Sequence, residues 1–156
     1  MLPLRRFLGL VLLPLLLPLL LPLLLLLAPA GAQASLFHLE GPVPLDLGVK
    51  AGSLAACPSP AHCARVSWSE ADPSSALASA SHWLGEQDGL VIQEQTATYL
   101  HATASSRLFG FVDVLELYAD QAGGHLQARS ISRLGDSDLG VNGRRLDQIG
   151  AALGHG

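Results

Sequence analysis

Lysine is almost missing from this chain. Lys50 is its single example, and charged residues make up only 14% of the 156 positions, so each charge in a patterned segment is informative. Without clustered Lys there is no polybasic patch to hold an anionic membrane surface. The basic residues after position 34 are Lys50, Arg65, Arg107, Arg129, Arg133, Arg144 and Arg145. Set against 13 acidic residues, these seven leave that part of the chain at a charge of −6. An acidic surface repels phosphate backbones, which excludes nucleic acid as the natural partner. Cysteine is nearly as scarce, with Cys57 and Cys63 alone. Neither a C-x-x-C redox motif nor a haem attachment motif can be built from them. A G-x-S-x-G nucleophile elbow is lacking too, and no motif implies a cofactor.

What is abundant is leucine at the start. Arg5 and Arg6 precede an apolar run from Phe7 to Leu27, and Ala32-Gln33-Ala34 forms an A-x-A cleavage signal. This is the pattern of a signal peptide over residues 1–34, which would leave Ser35 as the new N-terminus. The apolar run approaches the ~20 residues that span a bilayer, so a retained anchor is the alternative. Pro14, Pro18 and Pro22 weaken it as a permanent helix. On either reading the positive charge stays inside, and the remainder is exported to the periplasm or beyond. The only membrane contact expected is this segment, if it stays uncleaved. In an exported chain two cysteines this close pair as a disulfide. Closing the loop Pro58-Ser59-Pro60-Ala61-His62 stabilises by roughly 2 kcal/mol. The competing use of Cys57, His62 and Cys63 is a metal site, but no second Cys/His pair offers the usual spacing.

Residues 35–70 are punctuated by Pro42, Pro44, Pro58 and Pro60, with Gly41, Gly48 and Gly52, and read as irregular. Their many apolar side chains predict a segment that wraps over the core of residues 71–156. Asp72-Pro73 opens a helix by capping, with Leu77, Ala80 and Leu84 at helical spacing. Four strands are expected at Leu90–Gln95, Thr98–Arg107, Phe111–Ala119 and His125–Arg133. After a loop, Asn142 is placed to cap a last helix carrying Leu146, Ile149 and Leu153. The expected fold is α+β: a four-stranded antiparallel meander with helices on one face, preceded by the irregular, disulfide-clipped segment. Alternation puts Leu100, Ala102, Ala104, Phe111, Leu115, Leu117, Leu126 and Ala128 on the core face. His101, Thr103, Arg107, Glu116, Tyr118, Gln127, Arg129 and Arg133 fall on the other. Short hairpins would set Thr103 beside Glu116, and Glu116 beside Gln127 with Arg129 diagonal.

The segments CPSPAHC, TYLHATASSRLFGFVDVLELY and QARSISRLGDSDLGVNGRRLDQI resemble an uncharacterised bacterial and plastid family, domain-of-unknown-function family 1499. The resemblance runs from Asp46 to about Ile149 and is strongest in SRLFGFVD and RSISRLGDSDLGVN. His62 stands where that family has Asn, and Val114 where it has a second acidic residue. The resemblance implies fold and export but supplies no catalytic site.

The candidate ligand-binding residues are therefore Arg107, Arg129, Arg133, Glu116 and His101. Arginine grips carboxylate or phosphate through paired donors. A small anion, a lipid head group or a periplasmic protein is the expected partner. Structural roles are expected for Asp113, Asp138 and Asn142. Asp113 falls on the apolar face and needs a partner such as Arg144 or Arg145. Asp136, Asp138, Asn142 and Asp147 loosely follow calcium-loop spacing, but the glycine is one place early and position 12 is not Glu. The rival reading is a hydrolase-like enzyme that uses His101 with Asp113 or Glu116.

Overall fold

Residues 38–156 are described by the computed structural model. The expected signal peptide 1–34, its cleavage point, and Ser35, Leu36 and Phe37 lie outside them. The elements are β1 (Cys63–Ser69), α1 (Pro73–Gly85), β2 (Leu90–Gln95), β3 (Tyr99–Ser105), β4 (Val112–Asp120), β5 (His125–Ser132) and α2 (Val141–Ala152). All five strands form one antiparallel sheet in the order β1-β5-β4-β3-β2.

The fold is α+β, but with five strands rather than the expected four. The extra strand, CARVSWS, falls within the segment that reads as irregular in sequence, because proline and the cysteine loop crowd its start. Its alternation is clear once it is paired. Ala64, Val66 and Trp68 turn toward the helices, while it runs against β5 from Cys63 opposite Ile131 to Ser69 opposite His125. Cys57 and Cys63 form the disulfide, with their Cα atoms 5.5 Å apart, so the covalent loop closes on the first residue of β1.

Both helices lie on one face. The α1 helix covers β2 to β5, and α2 covers β1 and β5. Asp72 caps α1 by accepting from Ser75 N at 3.1 Å, and Pro73 occupies the first turn. Leu77, Ala80 and Leu84 meet Leu100, Leu115, Leu117 and Leu126 in the core, with Leu146 and Ile149 arriving from α2. Each such leucine contributes about 1.5–3 kcal/mol by leaving water. Gly150 lets α2 approach closely, since a Cβ there would stand 3.0 Å from Trp68 Nε1.

The register differs from the short-hairpin expectation by two residues. His101, not Thr103, faces Glu116, and Glu116 faces Arg129 rather than Gln127. Between β3 and β4 the cause is turn length. β3 ends at Ser105, and a wide turn follows in which Ser106 N donates to Phe111 O and Gly110 N to Ser106 O. Arg107 therefore sits in a turn, not on a strand face. A slip of two residues preserves which face each side chain takes.

The start of α2 is also corrected. Gly140 is its N-cap, with φ +78° and no side-chain cap bond of its own, and Asn142 lies inside the first turn. Asp138 does the capping work, accepting from Gly140 N at 2.8 Å and Asn142 N at 2.9 Å. Residues 38–60 contain no helix or strand and cross the face opposite the helices. Leu39 bridges to Phe111, and Leu54 is buried with its N–H on Gln127. This strap decides how much of the polar face remains open.

Candidate functional site

The centre of the polar face is closed. Glu116 and Arg129 are 0% and 1% exposed and face one another across β4 and β5. Arg129 Nη1 donates to Glu116 Oε2 at 3.1 Å, and Nη2 donates to Asp46 Oδ2 of the strap at 2.8 Å. The other oxygen of Glu116 accepts from Gly48 N and from the Tyr99 hydroxyl, each at 2.7 Å. Burial pushes the Tyr99 phenol far above its ordinary range, and its hydrogen bond to the Glu116 carboxylate adds to this. Nearby, Gln127 Oε1 accepts from Leu54 N, Ser53 Oγ and Arg65 Nη2. The expectation of an open face with a central carboxylate is thus corrected. The strap seals Glu116 and Arg129 into a buried ion-pair network through both Arg129 Nη atoms, while Arg129 Nε has no hydrogen-bond partner among the described residues.

Toward β2 and β3 the face stays open. A cavity of about 410 Å³ has Val43, Val91, Val112 and Val114 for apolar walls, with His101, Thr103 and Arg133 among its polar lining. The Arg133 side chain is 7% exposed and pairs with Glu40, itself 45% exposed. His38 Nε2 lies 3.0 Å from the second oxygen of Glu40. The His38 hydrogen bond, then Arg133, holds the Glu40 carboxyl below the usual carboxylate range. Gly41 makes this approach possible, because a Cβ there would collide with the Arg133 carbonyl. His101 also lines a second depression of about 540 Å³ with Tyr99, Tyr118, Leu47 and Val49. Both Arg133 Nε and His101 Nε2 are enclosed, yet neither has a hydrogen-bond partner among the described residues.

Arg107 is separated from the other candidates. With Arg145, Trp83 and Gln87 it lines a depression of about 510 Å³ at the helix side of the sheet end. Asp113, buried on the core face, is bonded by Arg145 Nη2 at 2.9 Å, whereas Arg144 turns to the Leu139 carbonyl. Arg145 Nη1 reaches Ser130 Oγ and Asn142 Oδ1. Asn142 in turn donates to the His62 carbonyl at 3.1 Å and Ser132 Oγ at 2.9 Å. The loop motif and α2 are fastened to the sheet by this cluster.

For Asp138 burial favours the neutral form, but the N–H groups of Asn142 and Gly140 outweigh it and hold the carboxyl below its ordinary range. Asp136 and Asp147 are exposed, and Asn142 is turned inward. No cluster of three His, Cys, Asp or Glu side chains suited to a metal occurs among the described residues. His101 faces Glu116, but both oxygens of that carboxylate are occupied, and Asp113 lies on the opposite face. The geometry does not assemble the acid–base pair of the hydrolase reading.

His38, Glu40, Asp46 and Tyr99 were not anticipated as site residues. Glu40 and Asp46 sit 93 and 83 positions from their arginines, in a segment with no periodicity to betray its contacts. Tyr99 carried a usable signal, since alternation along β3 puts it on the face of His101.

Residues 51–153 match the family model described as "Protein of unknown function (DUF1499)". No curated protein and no solved structure matches the chain.

Proposed function

The chain belongs to the DUF1499 family, and we propose that it is an exported, non-catalytic binding module that holds a small anion on the open half of its sheet face. One observation carries this reading. Arg133 is almost enclosed at a valine-lined cavity, and its carboxylate partner is a half-exposed residue of the strap. A guanidinium so placed keeps the directional donors that recognise carboxylate or phosphate. Arg129 pairs with Glu116 and Asp46 under the strap, whereas Arg133 lines the cavity with His101 beside it. Export is supported by Arg5 and Arg6 before the apolar run, by Ala32-Gln33-Ala34, and by a disulfide of the kind oxidising compartments maintain.

Calorimetry on the protein recovered after export tests the binding. Acetate, phosphate and glycerol phosphate are titrated at low and at moderate salt. Weak saturable binding is expected, falling as salt rises and disappearing in Arg133→Ala. Binding that survives Arg133→Ala, or no binding at low salt, counts against the proposal.

A further inference from the structure

We infer that the anion is the head of an elongated carboxylate amphiphile, an acyl carboxylate whose tail lies along β3. This rests on the binding reading above and adds the ligand's class and direction. The head position is already marked. Glu40 holds a carboxylate between Arg133 and His38 beside the valine-lined cavity, on a side chain that is itself 45% exposed. A free carboxylate would take the same two partners, with Glu40 swinging into water. A single planar head suits this pair, because Arg133 and His38 each bind one of its two oxygens.

The tail path follows from the sheet. Ser105, Thr103, His101 and Tyr99 alternate along one face of β3 and line the two depressions, which share His101 as a wall. Six strand rises of ~3.3 Å make this path ~20 Å long, the reach of a long acyl chain. Val91 and Val43 stay 56% and 47% exposed along it, apolar surface with no cover among the described residues. Beyond His101 the lining combines Leu47, Val49 and the tyrosines with Glu94, Thr96 and Thr98 at the rim of β2 and β3. Arg133 and His38 at one end, with exposed Val43 and Val91 and then Leu47, Val49 and the tyrosines along the path, are complementary to a carboxylate head with a hydrocarbon tail.

The test is a calorimetric series on the exported protein with acetate, hexanoate, dodecanoate and dodecyltrimethylammonium, each below the concentration at which it forms micelles. Each lengthening should tighten carboxylate binding by about tenfold or more, as apolar burial grows with chain length. Dodecyltrimethylammonium should not bind. Glu40→Gln should tighten dodecanoate by removing the internal competitor, and Arg133→Gln should abolish it. Val91→Ser, a neutral change at an exposed wall, should weaken dodecanoate by a larger factor than it weakens acetate. If acetate binds but added length contributes nothing, the tail is wrong and the anion module stands. Equal binding of the ammonium amphiphile would overturn the head assignment. If no carboxylate binds even to Glu40→Gln, both readings fall.

Discussion

Arg129 and Arg133 turn to the same side of the sheet, four residues apart, and are put to different uses. Arg129 lies under the strap between Glu116 and Asp46, whereas Arg133 comes out at the cavity. Removing one member of a buried pair strands the other charge. Arg129→Ala and Glu116→Ala should each cost about 3–5 kcal/mol in urea unfolding. The double change Arg129→Met with Glu116→Leu should cost less than the two single losses added together. Additive losses would show that the pair is not coupled. Which face each of these residues takes was legible in the sequence, because alternation is a local rule. Their partners were not. Pairing across strands depends on turn length, and the Ser106–Phe111 turn moved Glu116 from Thr103 to His101. Asp46 and Glu40 come from a segment whose course no periodicity describes.

Among the elements, α2 depends on Asp138, which satisfies two N–H groups at its start. Asp138→Ala should cost about 1 kcal/mol near neutral pH, the usual worth of such a cap. The sign of its pH dependence follows from the lowered carboxyl pKa. The folded protein binds that proton less readily than the unfolded chain does. The stabilisation is complete above the ordinary Asp range near ~3.9 and is lost as pH falls through it to the folded value. Thermal melts of wild type and mutant should therefore converge in acid. A gap that persists or widens there would contradict the assignment. Capping signals and the leucine stripes made both helices legible. β1 was missed because its seven residues follow directly on a proline-rich cysteine loop, and its pattern becomes plain only against β5.

For the whole molecule, the leader and the open face make separate claims. Export with cleavage after Ala34 predicts that N-terminal sequencing of the exported protein begins at Ser35, whereas intact Met1 in the membrane fraction would mean a retained anchor. The open face arises because the strap covers the sheet over β4 and β5 but leaves cavities toward β2 and β3. Neither the strap's path nor the cavity was legible beforehand, since both depend on contacts between residues far apart in the chain. The central claim is that Arg133 receives an anion there. The most direct measurement is an NMR titration that follows the Arg133 Nε–H signal as acetate is added at low salt. The account predicts a saturable shift of that signal, reversed by added salt, with the Arg129 signal unmoved. An Arg133 signal that stays fixed throughout, or one that moves no more than Arg129, would contradict it.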